Sequence, residues 1–256
     1  LAILGIIICA GLVLVFRMIF LAHHDRLLYH HVTDKQIPDQ FTNFRIFFIS
    51  DIHRRRINKK TIEKIKEPID IIIIGGDITE KFVPLQRTIK NIRRLKKWQQ
   101  PIYFIWGNND YEAQPDRLER MLRQENVIIL TNSNDTIIRG NRTISILGLD
   151  CFTYGEPRLD LAMQGAQGSF MILLTHDPEA FYLLSDQELQ SIDIALAGHT
   201  HGGQIRIMGV GPYERGGLDK YKNTKILISE GYGYSSLPFR LGTNSQCHVI
   251  TFEKLT

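Results

Sequence analysis

Short, almost wholly apolar runs, each stopped by a polar or glycine-rich cluster, constrain this chain more than any other feature. Residues 44–50, 71–74, 102–106, 171–174 and 194–197 form such runs. Runs this short and this apolar are expected to be strands buried on both faces. Helix-forming segments separate the first three: residues 58–67, stopped by Pro68, and then Leu85, Ile89, Ile92 and Leu95 at helical spacing. Strand, helix, strand, helix, strand predicts parallel pairing with covering helices, and functional groups gather beyond the carboxyl ends of such strands. After a helix expected over 115–124, shorter runs follow at 127–130, 136–139 and 143–147, with Gly140-Asn141 as a hairpin signal between the last two. Residues 225–229 and 248–252 complete the strands. Two groups of strands with mixed pairing predict two packed sheets with helices outside, and 256 residues suit one such α/β domain.

What stops each run carries the chemistry. Asp51-Ile52-His53 follows the first, Gly75-Gly76-Asp77 the second and Gly107-Asn108-Asn109-Asp110 the third. His176 follows the fourth, and Gly198-His199-Thr200-His201 the fifth. Asp51 and His53 alternate about Ile52, so both side chains leave a strand end on one side and can grip one ion. Carboxylate with imidazole suits Mn, Fe or Zn rather than Ca. Gly75 and Gly76 let the backbone turn sharply and bring the Asp77 carboxylate close to its neighbours. His199 and His201 can each face a different ion, and Gly202-Gly203 after them offer little apolar surface for a packed role.

In this order, and with the extended run from Gly198 to Gln204, these motifs resemble the calcineurin-like metallophosphoesterase family over residues 44–254. Within it they are similar to a membrane-associated branch that includes UDP-2,3-diacylglucosamine pyrophosphatase-like enzymes. The resemblance implies a four-layer α-β-β-α sandwich of two mixed sheets. It implies one metal held by Asp51, His53, Asp77 and His201, and a second held by Asp77, Asn108, His176 and His199. The cofactors are then two divalent ions, Mn, Fe or Zn with Mg also compatible, which activate a hydroxide and clamp the phosphoryl oxygens of an in-line displacement.

One position departs from the family pattern, because Asn109 stands where the third motif usually has a histidine. That histidine serves the leaving group, oriented by the acid that Asp110 retains. Asparagine donates a hydrogen bond but transfers no proton at neutral pH. Three consequences stay open: substrates with easy leaving groups such as pyrophosphates or aryl esters, charge stabilisation by Arg54 from the run 54–56, or a protein that keeps its metals without turnover. The catalytic candidates are therefore Asn109, Asp110 and Arg54. The run Gly231-Tyr232-Gly233-Tyr234-Ser235, with Pro238 and Arg240 after it, either lines the substrate entrance or closes the sheet.

Residues 1–22 are expected to form a membrane anchor rather than a cleaved signal, since no basic stretch precedes them and no Ala-x-Ala site follows. About 20 residues span a hydrocarbon core of about 30 Å, with Arg17 snorkelling to the headgroups. Residues 23–43 read as a linker whose His23, His24, His30 and His31 are solvated. Arg17, Arg26 and Lys35 follow the apolar run, and the positive-inside rule then makes this a single-pass cell-membrane protein with a cytoplasmic catalytic domain (44–256). A net charge of +4 is too small to mark a nucleic-acid binder, and three scattered cysteines give neither a disulfide framework nor a cysteine zinc site. The helix carrying Arg87, Lys90, Arg94 and Lys97 reads as a solvated basic face, with contact to anionic lipid headgroups near the anchor as the rival reading. The expected function is hydrolysis of a phosphate or pyrophosphate ester, with a lipid or glycolipid as candidate substrate. The alternatives are a nucleotide or nucleic-acid phosphodiesterase and a metal-retaining scaffold.

Overall fold

The computed structural model describes residues 1–255; Thr256, the last residue of the expected domain, lies outside them. In chain order its strands are β1 (Asp25–Asp34), β2 (Arg45–Ile49), β3 (Ile71–Ile74), β4 (Ile102–Phe104), β5 (Val127–Ile129), β6 (Ser133–Arg139), β7 (Arg142–Gly148), β8 (Met171–Leu174), β9 (Ile194–Ala197), β10 (Gly217–Tyr221), β11 (Thr224–Ile228) and β12 (Ser245–Lys254). The helices are α1 (Ala2–His23), α2 (Lys59–Glu63), α3 (Leu85–Leu95), α4 (Asn108–Glu112), α5 (Pro115–Gln124), α6 (Leu159–Ala162), α7 (Glu179–Tyr182) and α8 (Asp186–Gln190).

The strands form two six-stranded mixed sheets, ordered β1-β12-β2-β3-β4-β5 and β10-β11-β9-β8-β7-β6. β2 to β5 are parallel, in register Ile46↔Ile71 and Ile72↔Ile102, whereas β12 runs antiparallel to β2. In the second sheet β7, β8, β9 and β11 are parallel, and antiparallel β6 and β10 close its edges. The β6–β7 hairpin turns at Gly140-Asn141, where Gly140 has a φ of 59°.

Alternation along the strands builds the layers. Ile46, Phe48, Ile71 and Ile73 face Ile144, Ile146, Ile172 and Leu196 in a core between the sheets. Their neighbours Phe47, Ile49, Ile72 and Ile74 turn outward and pack with Ile92 and Leu95 of α3 and Leu118 and Leu122 of α5. On the other side Leu147, Leu173 and Ala195 meet Leu159, Phe181 and Leu189 of α6 to α8. Helix, sheet, sheet, helix is the observed order. Complete burial of one such side chain is worth about 1.5–3 kcal/mol, which fixes both faces of each parallel strand.

The expected linker at 23–43 is corrected by the structure. β1 occupies it and pairs in parallel with β12 from Asp25↔Ser245 to Asp34↔Lys254. Its histidines are not all solvated either. His30 Nε2 lies 3.0 Å from Nδ1 of the buried His248, whose Nε2 lies 2.9 Å from Ser229 Oγ. Burial, with His30 beside it, pushes the His248 pKa down to about 3. α1 is long and apolar enough to cross a membrane, with mean hydropathy 2.7, and Ala22 is its buried residue.

Candidate metal centre

Every metal-ligand candidate lies just beyond the carboxyl end of a parallel strand: Asp51 and His53 after β2, Asp77 after β3, Asn108 after β4, His176 after β8, and His199 and His201 after β9. The chain turns there through the left-handed region at Asp51 (φ 53°), His53 (51°), Asp77 (51°), His199 (68°) and His201 (51°). Such a conformation costs an L-residue about 1–2 kcal/mol, and strain of this kind gathers at functional sites. Cross-strand bonds hold it: Asp51 N–H donates to Gly76 O and His53 N–H to Asp77 O, both at 3.0 Å. Close packing also demands glycine at 107, where a Cβ would come within 2.2 Å of Asp77 Oδ1.

The loops bring the ligand atoms together. Asp51, His53 and His201 offer atoms that all lie within 4.8 Å of one another, and so do Asp51, Asp77 and His176. Asp51 belongs to both groups, and Asp77 Oδ2 of the second lies 3.4 Å from His176 Nε2 and 3.8 Å from His53 Nε2 of the first. His199 joins from the open side, its Nδ1 3.1 Å from Asn108 Oδ1. All of these residues but Asp51 and His176 line a cavity of about 460 Å³.

The donor set fits divalent metal. His53 Nε2 and His201 Nε2 converge at 3.1 Å. His176 Nδ1 lies 2.8 Å from Gly75 O, which fixes its tautomer and turns Nε2, buried and without a hydrogen-bond partner, toward Asp77 and Asp51. Buried carboxylates facing imidazole nitrogens call for positive charge between them. The electrostatics agree. Burial opposes the Asp77 charge, yet the His176 and His53 imidazoles and the Asn109 amide hold its carboxyl well below the usual range. Burial likewise works against charge on His176 and His53, but the Asp77 carboxylate beside His176, and Glu80 and Asp77 beside His53, raise both imidazoles above their ordinary value. His201 is held well below it by burial, with His53 and Arg240 adding.

The three catalytic candidates take different places. Asn109 folds onto the Asp77 carboxylate, its backbone N–H donating to Oδ1 at 2.8 Å and its Nδ2 to Oδ2 at 2.7 Å. Asp110 is fully buried and accepts the N–H groups of Asp77 (2.6 Å), Gly107 (3.0 Å) and Thr79 (3.1 Å). It therefore anchors backbone around the site. Burial and the Asp77 charge push its pKa up to about 8 against the pull of those N–H groups. Arg54 does not line the cavity; it pairs with Glu80, whose Oε2 lies 3.2 Å from His53 Nδ1. In the same arginine run Arg55 is structural, bonded to Asp25 at 2.7 Å and stacked 4.4 Å over the Tyr232 ring.

Sequence reasoning misses Glu80 and places Arg240 only with the 231–235 run, not beside His201. Glu80 backs His53, and the only signal is its place three residues after Asp77. Arg240 is wholly buried, with Nη2 3.1 Å from His201 Nδ1 and bonds to the carbonyls of Gly233 (2.8 Å) and Gly231 (3.2 Å). It braces the loop that contacts Asp51. In the 231–235 run Tyr232 is buried and bonded to Asp25, while Ser235 lines the cavity and exchanges hydrogen bonds with Gln204.

The calcineurin-like phosphoesterase family model matches residues 44–203. The uncharacterized protein YpbG of Bacillus subtilis is 40% identical over 208 residues, 80% of each chain. A transmembrane protein with metallophosphoesterase domain from Danio rerio is 26% identical over 279 residues, spanning 98% of this chain and 62% of that protein. Among solved structures, a Thermus thermophilus sulfate thiohydrolase, SoxB, superposes with a TM-score of 0.50 at 11% identity, over 85% of this chain and 57% of that one, a likeness of fold alone. Motif spacing, paired sheets and the matched span coincide on one stretch of sequence, and the chain belongs to the calcineurin-like phosphoesterase family.

Proposed function

We propose that this protein hydrolyses a phosphate or pyrophosphate ester, with Asp51, His53, Asp77, Asn108, His176, His199 and His201 holding two divalent ions. The observation that carries the reading is two ligand groups that share Asp51, with Asp77 Oδ2 of the second group within 3.8 Å of His53 in the first. Bound ions at such a centre supply Lewis acidity to a water and to the phosphoryl oxygens. The chain's own residues orient this chemistry. Asn109 fixes the Asp77 carboxylate through two hydrogen bonds, Asp110 pins the backbone that presents it, and Glu80 with Arg54 positions His53 from behind.

Asn109 offers the departing oxygen no proton, so the preferred substrates carry good leaving groups, pyrophosphate bonds and aryl esters first. α1 favours an ester at a membrane, with a lipid- or glycolipid-linked phosphoryl group as substrate, and the basic residues after the apolar run favour a single-pass protein with a cytoplasmic domain. The test is metal analysis of the purified protein with turnover of an aryl phosphodiester, a pyrophosphate and a phosphomonoester, beside Asp77→Asn. Metal-dependent turnover lost by at least about 100-fold in Asp77→Asn is expected. Activity that survives the substitution rejects the mechanism, and bound metal without turnover makes the protein a scaffold.

A further inference from the structure

The rim of the cavity is apolar on one side, and that side is stapled to α1. The Arg240 backbone N–H donates to Met18 O at 3.1 Å. The next residue, Leu241, donates to Gln204 O at 3.0 Å and accepts from Arg206 N–H at 2.7 Å. From there a tight hairpin runs out to a tip, closed by Ile207 N–H to Val210 O (2.9 Å) and Val210 N–H to Ile207 O (3.0 Å). The Arg206 guanidinium braces the tip from inside, donating to Gly209 O at 2.6 Å and to Gly202 O at 3.1 Å. A Cβ at Gly242 would come within 2.9 Å of Arg206 Cβ, so glycine permits this close approach. Braced in this way, the tip cannot turn its side chains inward. Ile207 is 67% exposed, Met208 97% and Val210 76%, between the cavity-lining residues Ile205 and Pro212, and Leu237, which also lines the cavity, is 59% exposed.

α1 sets the depth at which these side chains lie. The helix is exposed along its whole length to Arg17, and Met18, Leu21 and Ala22 are less exposed where it meets the domain. About 17 residues at about 1.5 Å each leave roughly 25 Å of free helix, close to a hydrocarbon thickness. The domain therefore begins at the level of Met18, and Arg240 is bonded to that level. An exposed apolar cluster continuous with a membrane helix has one fitting occupant, the lipid surface that the helix enters.

We propose that the Ile207–Val210 tip and Leu237 insert into the bilayer surface, so that the cavity opens against the membrane and receives a phosphoester headgroup directly from it. The inference rests on α1 spanning the membrane and does not depend on turnover. The full-length chain with Cys9→Ser and Met208→Cys is labelled at the new thiol with an environment-sensitive fluorophore. It is then reconstituted into phosphatidylethanolamine–phosphatidylglycerol vesicles containing nitroxide-labelled lipid; Cys151 and Cys247 are buried. Ile138→Cys is the control, 69% exposed beside the β6–β7 turn, at the end of the second sheet opposite His176. The label at 208 is expected to lose most of its emission to the nitroxide lipid while that at 138 keeps it. A label at 208 that remains open to aqueous iodide overturns the proposal, and one shielded from both quenchers puts protein rather than lipid on the tip and overturns it too. Val210→Cys replaces Met208→Cys if the latter does not fold. Labelling the natural Cys9 reads separately whether α1 lies in the bilayer.

Discussion

On the proposed mechanism Asn109 stands where a proton donor to the leaving group would act, and its amide is spent on the Asp77 carboxylate instead. An imidazole in its place would restore a titratable donor at the cost of one hydrogen bond to Asp77. General acid catalysis contributes about 10²–10⁴-fold, and most when the leaving group is a poor one. Asn109→His is therefore expected to raise kcat/KM at least about tenfold on an alkyl phosphoester and to change an aryl ester little. Parallel rate measurements on the two esters check this, and an equal gain on both would remove leaving-group assistance as the meaning of the substitution. At this scale the ligand candidates were legible because each directly follows a buried strand, whose direction alone decides where its next residues emerge. Glu80 was not, and Arg240 was read only as part of an entrance or sheet-closing stretch, since the fold alone brings the two to His53 and His201.

The inner parallel strands β2, β3, β4, β8 and β9 were legible because both faces are buried, which leaves a run of apolar residues with nothing else to be. β1 and β10 were not, for the converse reason. Each lies at a sheet edge with one face in water, and their mixture of charged, histidine and apolar residues reads as loop. β1 nevertheless does more than cover an edge. Asp25, at its first residue, accepts from Arg55 at 2.7 Å and Thr61 at 2.7 Å and from the Tyr232 hydroxyl, all within a few residues of the ligand loops. The Arg55 and Asp25 side chains are 7% and 2% exposed, so the pair is a buried one. Removing one partner of such a pair leaves an uncompensated charge and costs about 3–5 kcal/mol. Asp25→Ala is expected to lower stability by that amount in urea titration. A loss below about 1 kcal/mol, the range of an exposed pair, would mean that water reaches Arg55 and that β1 does not lock the site.

For the molecule as a whole, a metal held as proposed would link folding to metal and to pH. A ligand that binds only the folded state adds RT ln(1 + [L]/Kd), about 2.7 kcal/mol at 100 Kd, which for a domain of this size is about 5–10 °C in Tm. Protons compete for the same nitrogens. His53 and His176 have folded pKa values raised above the ordinary value near 6.5, mainly by Glu80 and Asp77 against the effect of burial. Without metal, these two groups contribute stability that is complete below pH 6.5 and is lost as pH rises through their raised values. His201, held low by burial, His53 and Arg240, works the other way below pH 6.5. Metal binding needs all three neutral, so its contribution grows as pH rises through the raised values of His53 and His176 and fades as pH falls. The difference in Tm between manganese-loaded and chelator-treated protein is therefore expected to be larger near pH 8 than near pH 5.5. Thermal scans at the two pH values decide it, with His176→Ala as the comparison in which the difference shrinks throughout. A metal-dependent shift of equal size at both would mean that the ion is held by groups other than these histidines.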